Sequence, residues 1–90
     1  MKTIRIFIYG IVQGVFFRAF AKEQADNLGL TGYVKNLDDG RVEIVVEGYE
    51  NDVNRMIDAC KKGPLGSRIR DIEIEKMSHQ GFDSFRIVRF

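Results

Sequence analysis

Residues 3–28 read TIRIFIYGIVQGVFFRAFAKEQADNL and combine a strand pattern, a loop bounded by glycines and a helix pattern. Over residues 3–9 isoleucine alternates with other residues, which is the period of a strand with one face more deeply buried than the other. Over residues 17–28 apolar residues recur at spacings of three and four, so this segment is predicted to be an amphipathic helix. The first predicted elements are therefore a strand, a short loop over residues 10–14 and a helix.

A second pair of strands follows this helix. Residues 33–36 and 42–46 are predicted strands, and the Asp38-Asp39-Gly40 turn between them makes a hairpin. A second helix is expected over residues 53–60, whose apolar positions share one face, and it should end near residues 61–64, where lysines precede glycine and proline. Cys60 lies on that apolar face and is therefore predicted to be a core thiol.

The last third of the sequence adds two further strands. One is predicted around residues 72–76, and Ile69, which is out of phase with it, lies either in the preceding turn or beside a bulge. The other covers residues 85–90, after the His79-Gln80-Gly81 turn. The resulting order, βαββαβ with a short C-terminal strand, predicts an α+β fold. This is the ferredoxin-like α/β sandwich, an antiparallel sheet with two helices on one face.

The composition sets further limits on the kind of protein. Ninety residues can enclose only one hydrophobic core, so residues 1–90 are expected to form a single domain. Apolar residues make up 44% and charged residues 30%, a balance typical of globular proteins and not of membrane-spanning ones. The N-terminal residues show no signal-peptide pattern, so a cytoplasmic location is expected. A single histidine, His79, with no recognisable group of carboxylates around it, predicts no metal site.

The loop between the first strand and the first helix has the features of an anion-binding loop. Gly10 and Gly14, near its two ends, allow unusual backbone conformations and close approach of a ligand. The backbone amides from Gly14 to Arg18 open a helix, where unpaired N–H donors and the helix dipole both favour an anion. Arg18 adds a planar fork of charged donors that suits two oxygens of one phosphate.

A simpler interpretation of the loop remains open at this point. A junction between a strand and a helix often needs glycine only for a tight turn, and an arginine in a first helical turn is usually solvated. The loop also lacks the Lys-Ser or Lys-Thr of a P-loop and the Gly-x-Gly-x-x-Gly of a dinucleotide site. Nucleotide and magnesium are therefore not implied.

Two motifs resemble the signatures of the acylphosphatase family. The first is Gly10-x-Val12-Gln13-Gly14-Val15-x-Phe17-Arg18, and the second is Gly32-Tyr33-Val34-Lys35-Asn36-x-x-x-Gly40-x-Val42 followed by Gly48. The resemblance extends over the whole chain, because members of the family are single domains of about this length with the ferredoxin-like arrangement. It implies a metal-independent hydrolase that converts acyl phosphates to a carboxylate and inorganic phosphate.

The resemblance also implies a role for particular residues. Arg18 would bind the phosphoryl oxygens, and Asn36 would hold a water for in-line attack on phosphorus. The implied phosphate-binding residues are Gln13, Gly14, Val15, Phe16, Phe17 and Arg18. An amide can orient water without ionising. Considered without the resemblance, Asn36 is better explained as the residue that begins the hairpin turn. The expected partners are an acyl phosphate substrate and inorganic phosphate as product, with no cofactor and no membrane, and the chain is expected to be a monomer.

RNA binding is the main alternative, because ferredoxin-like sheets can stack single-stranded bases on aromatic side chains. The candidates for such stacking are Tyr9, Phe16, Phe17 and Tyr33. The net charge is only +1, from 14 basic and 13 acidic residues, and residues 41–47 include two glutamates that would repel a phosphate backbone. Nucleic acid is therefore not expected as a partner. A ligand-sensing module without catalysis is a third interpretation, which the fold alone leaves open.

Overall fold

The computed structural model describes residues 1–89 and forms two helices packed against one five-stranded sheet. The elements are β1 (Lys2–Ile11), α1 (Phe17–Asn27), β2 (Thr31–Asn36), β3 (Val42–Gly48), α2 (Glu50–Lys62), β4 (Arg68–Met77) and β5 (Phe85–Val88). The predicted order of elements is confirmed. Several elements begin earlier than predicted, because polar residues extend them beyond the apolar pattern; α2 begins at Glu50, where acidic side chains favour the first helical turn. Neither helix is long and apolar enough to cross a membrane.

The sheet has the strand order β4-β1-β3-β2-β5, and its last strand departs from the prediction. The first four strands pair antiparallel, as predicted, but β5 runs parallel to β2, with Gly32 opposite Phe85 and Lys35 opposite Val88. The reason is topological: β4 runs opposite to β1 while β2 runs in the direction of β1. A chain that reverses once after β4 must therefore run in the direction of β2.

The core lies between one face of the sheet and both helices. Ile4, Ile6 and Ile8 of β1 are at most 1% exposed, whereas Arg5 and Phe7 between them are half-buried on the opposite face. The helix residues buried in this core are Phe17, Ala21, Ala25, Val53, Met56 and Cys60. Cys60 is thus the core thiol that was predicted, and its burial raises the pKa of the thiol to about 12.

The pairing of β1 with β4 contains an irregularity where Ile69 was out of phase. Tyr9 pairs with Asp71 but the next residue, Gly10, pairs with Ile69, so β4 has one extra residue at this point. Gly10 has a φ of 135°, and a Cβ built on it would overlap the carbonyl oxygen of Arg68. Gly10 is therefore required by its close approach to β4 and not by a ligand.

One carboxylate of the sheet accepts several hydrogen bonds from residues 78–84, which we call the β4–β5 connection. Glu47 is 2% exposed and accepts hydrogen bonds from the backbone N–H groups of Gln80 (2.7 Å) and Gly81 (2.9 Å) and from the hydroxyl of Thr3 (2.5 Å). Burial alone would raise the pKa of Glu47, but these hydrogen bonds and the nearby imidazole of His79 lower it to about 2.

The last strand is shorter than predicted. It ends at Val88, so Arg89, which was expected to continue it, lies beyond the strand. Phe90, the last residue of that predicted strand, lies outside the described residues.

Candidate active site

A cavity of about 410 Å³ opens where β1, β2 and β5 end. These three strands run in the same direction, so their C-terminal ends meet at one end of the sheet. The polar side chains lining the cavity are Arg18, Asn36 and Arg89. Val12, Phe17 and Ile87 supply apolar wall, and Gly14 and Phe16 supply part of the loop. The cavity therefore brings together residues from both sequence motifs.

A second cavity, of about 470 Å³, lies at the opposite end of the sheet. Lys2, Lys76 and His79 line it together with Glu50. It contains neither Arg18 nor Asn36, so it is not the site that the motifs predict.

The N-terminus of α1 forms one side of the smaller cavity and has an unusual backbone. Its N-cap residue, Phe16, has φ 60° and ψ 27°, a left-handed conformation that is uncommon for a non-glycine residue and stores strain. Within residues 1–89 no side chain caps the helix, and its first turn has no acidic residue. The first N–H groups of α1 are thus available to an anion at the positive end of the helix dipole.

Gly14 lies in the loop between β1 and α1. Its φ is 74°, again in the left-handed region, and no heavy atom lies within 4 Å of the position that a Cβ would take. The backbone at Gly14 is therefore open to close approach by a ligand in the cavity.

Arg18 is half-buried in the first turn of α1, on the wall of the cavity. Its Nη1 donates to the carbonyl oxygen of Val88, at the end of β5, over 3.4 Å. This bond is long and uses one of the five donors of the guanidinium. The side chain is thus oriented by β5 and keeps donors available for an anion.

Asn36 is the last residue of β2 and is opposite Val42 at the mouth of the hairpin. Its side-chain Oδ1 is buried and has no hydrogen-bond partner among residues 1–89. A buried acceptor without a partner costs free energy, so a polar group or a water is expected at this atom. Asn36 thus lines the cavity that contains Arg18, and its Oδ1 is an acceptor without a partner among residues 1–89.

Gln13 and Val15, which the family resemblance placed among the phosphate-binding residues, do not line the cavity. Val15 packs partly buried against the core. The side-chain amide of Gln13 donates to the carbonyl oxygens of Leu37 and Arg41 in the hairpin, both at 2.9 Å. A contact of either residue with phosphate through its backbone amide stays a prediction.

Arg89 is a cavity residue that sequence reasoning missed. It was assigned to the last strand, and its position at the cavity follows from the parallel pairing of β5 with β2, which brings the end of β5 beside Asn36. The local signal was weak, because a single arginine after an apolar pair has no spacing that distinguishes it from a surface residue.

Comparisons with known proteins agree with both motifs. The profile of the acylphosphatase family matches residues 4–87. An acylphosphatase of Aeropyrum pernix is 48% identical over 85 residues, which is 92% of this chain and 84% of that protein. An acylphosphatase of Methylococcus capsulatus is 41% identical over 90 residues, covering 99% of this chain and 98% of the relative. The crystal structure of acylphosphatase from Bacillus subtilis is similar with a TM-score of 0.95 at 45% identity, covering 98% of this chain and 99% of that one.

Proposed function

The chain belongs to the acylphosphatase family, a family of hydrolases, and from this premise we propose that it hydrolyses acyl phosphates by in-line attack of water, without a metal ion. The products are a carboxylate and inorganic phosphate. The observation that carries the proposal is the common cavity of Arg18, at a helix N-terminus, and Asn36, whose buried Oδ1 has no partner among residues 1–89.

The phosphoryl group binds at the N-terminus of α1 in this proposal. The backbone N–H groups of the loop and the guanidinium of Arg18 donate to its oxygens, and the helix dipole favours its negative charge. Phosphoryl transfer passes through a loose transition state with charge spread over these oxygens, so preorganised donors stabilise it directly.

The attacking water binds Asn36. The Oδ1 accepts a hydrogen bond from one O–H of the water and so directs a lone pair of the water oxygen at phosphorus, opposite the leaving carboxylate. The bond from phosphorus to the acyl oxygen breaks as the new bond to the water oxygen forms. The proton of the water passes to a phosphoryl oxygen of the substrate, because neither Arg18 nor Asn36 is a base.

This reaction needs neither a general acid nor a metal. The leaving group is a carboxylate of low pKa, which departs without protonation. Arg18 and the loop donors neutralise the phosphoryl charge, the task that a metal ion performs at many phosphoryl-transfer sites. Residues 1–89 contain no group of three or more histidine, cysteine and acidic side chains that could hold a metal ion.

The alternative of RNA binding has less support. Phe17 is buried in the core and Phe16 lines the cavity, so the four aromatic candidates do not share one surface. On the sheet face away from the helices, Glu43 lies 3.5 Å from Arg5 and accepts a hydrogen bond of 3.1 Å from the Tyr33 hydroxyl. Glu43 is only 7% exposed and its charge is paired, so the repulsion predicted from this glutamate is weak, and it is the scattered aromatic side chains that disfavour RNA binding.

The test is hydrolysis of acetyl phosphate by the purified protein in oxygen-18 water, with a chelator present. Saturable release of inorganic phosphate, competitive inhibition by added phosphate and heavy oxygen in the phosphate product are the expected results. Heavy oxygen in the acetate would place the attack on carbon and contradict the mechanism. Activity that the chelator removes and magnesium or zinc restores would contradict metal independence.

A further inference from the structure

Gln13 connects the two halves of the candidate active site through its side chain. Gln13 lies in the loop of residues 12–16 between β1 and α1, which we call the phosphate loop, and it directly precedes Gly14. Its side chain reaches the β2–β3 hairpin, where one of the two acceptors belongs to Leu37, the residue that follows Asn36. Its Nε2 donates both hydrogens, one to the carbonyl oxygen of Leu37 and one to that of Arg41, each over 2.9 Å. A single amide group therefore links the loop that would hold phosphate with the strand end that would hold water.

These two bonds are not needed to satisfy the hairpin. The carbonyl oxygen of Leu37 also accepts from the backbone N–H of Gly40 (3.2 Å), and that of Arg41 accepts from the N–H of Leu37 (2.8 Å). Removing the Gln13 amide therefore leaves no buried acceptor without a partner in the hairpin. What is lost is the pair of hydrogen bonds between the hairpin and the loop of residues 12–16.

We propose that Gln13 is a positioning residue, which sets the place of the Asn36 side chain relative to the phosphate cradle. The inference rests on the proposed function, because it makes Gln13 responsible for the distance between the two residues, Arg18 and Asn36, that the proposed reaction uses. In-line attack needs the water oxygen and the phosphorus to be aligned at close range, and displacement of a reacting group by about 1 Å can cost about 100-fold in rate.

The test compares Gln13→Met, which keeps the length of the side chain but removes the donor, with Gln24→Met. Gln24 is also half-buried and undergoes the same chemical change, but it lies on α1 outside the cavity. Gln13→Met is expected to lower kcat about 10- to 100-fold and to change the Kd of inorganic phosphate less than threefold. Gln24→Met should keep both values. Gln13→Asn, which keeps the amide but is too short to reach both carbonyls, should act like Gln13→Met and serves if that variant fails to fold.

A double-mutant cycle separates positioning from general stabilisation. Combined with Asn36→Ala, Gln13→Met should cause little further loss of kcat, because the group that Gln13 positions is already absent. An additional loss equal to that in the parent would overturn the proposal. The proposal would also be overturned if folded Gln13→Met protein had the same turnover as the parent. A loss of phosphate binding in parallel with turnover would overturn it as well.

A measurement by NMR spectroscopy tests the role of Gln13 independently of the proposed function. The side-chain amide resonance of Asn36 should shift in Gln13→Met and stay in place in Gln24→Met, whether or not the protein hydrolyses acetyl phosphate. An unchanged Asn36 resonance in Gln13→Met would refute the positioning role. Absence of hydrolysis by the parent protein would instead refute the proposed function, while the resonance still decides the role of Gln13.

Discussion

The side chain of Asn36, the last residue of β2, carries an acceptor that has no partner among residues 1–89. This observation predicts how truncation of the side chain affects the reaction. Asn36→Ala is expected to lower kcat by at least about 100-fold, because the water loses the group that orients it. The Kd of phosphate should stay close to that of the parent, since the loop amides and Arg18 remain. An interaction made mainly in the transition state lowers kcat without a matching loss of ground-state binding.

Turnover of acetyl phosphate and calorimetric binding of phosphate measure the two quantities for Asn36→Ala. Asn54→Ala, an exposed change on α2, is the control and should keep both. Unfolding should show a loss of no more than about 1 kcal/mol, because no hydrogen bond of Oδ1 within residues 1–89 is broken. A collapse of phosphate binding together with turnover would assign Asn36 to the cradle instead.

Replacement of Arg18 should lower both turnover and phosphate binding, unlike replacement of Asn36. Arg18→Gln removes the charge and most of the donors aimed into the cavity, so both kcat and phosphate affinity are expected to fall, kcat by about 100- to 1,000-fold. Arg55→Gln is the matched control, because Arg55 pairs with Asp52 on the exposed face of α2 and surface pairs contribute little. Near-normal turnover in folded Arg18→Gln protein would contradict the role given to Arg18.

The loop at the start of α1 allows a comparison of two glycines. Gly14 and Gly66 have φ values of 74° and 90°, and at neither does any heavy atom lie within 4 Å of a built Cβ. Alanine at either position should cost a similar amount of stability, about 1 kcal/mol, because the strain lies in the backbone. Only Gly14→Ala is expected to weaken phosphate binding, since only Gly14 lines the cavity. Equal phosphate affinity in the two variants would mean that the anion does not approach the backbone at Gly14.

The β4–β5 connection should make the stability of the fold depend on pH. The folded-state pKa of Glu47 is about 2, below its ordinary value of 4.5, so its contribution is fully present above about pH 4.5 and is lost as the pH falls toward 2. Glu47→Gln should therefore be less stable at pH 7 and should lose less stability than the parent between pH 5 and 2. Denaturant unfolding at a series of pH values measures this, with exposed Glu23→Gln as control. Parallel pH profiles for Glu47→Gln and the parent would contradict the account.

Features of the fold that are determined by residues close together in the sequence could be predicted. The alternation of Ile4, Ile6 and Ile8 corresponds to the buried face of β1, and the mismatch of Ile69 corresponds to a real irregularity in its pairing with β4. Both follow from the side-chain period of a strand, which is a local property. The grouping of Arg18 with Asn36 at one cavity was accessible only because two motifs together resembled one family.

Features that depend on distant contacts could not be predicted. The parallel pairing of β5 requires the direction of β4, and the position of Arg89 at the cavity requires that pairing. Gln13 was assigned to phosphate as part of a motif, whereas its side chain bonds hairpin carbonyls 24 and 28 residues away. The sequence pattern does not indicate which carbonyl groups the Gln13 side chain contacts, because every residue has a backbone carbonyl.

At the scale of the whole molecule, Cys60 should report global unfolding. Its thiol is buried in the core, and burial raises its pKa to about 12, so the native protein presents no reactive thiolate. The rate of labelling by a thiol reagent is expected to follow the fraction of unfolded protein as denaturant is added. A cysteine at the exposed position of Ser78, introduced as Ser78→Cys, should be labelled at once. Labelling of Cys60 well before the unfolding transition would mean that α2 opens locally.

The strand order also has a consequence for synthesis of the protein. Thr3 pairs with Met77 and Gly32 pairs with Phe85, and three of the four strand pairings join strands that are not consecutive along the chain; the β2–β3 hairpin is the local one. Folding of such interleaved topologies is slow, on the order of milliseconds to seconds, because long loops must close before contacts form. The ribosome releases β5 after the six elements that precede it, and β5 carries the carbonyl that orients Arg18. A nascent chain therefore remains without a complete cavity until β5 has left the exit tunnel.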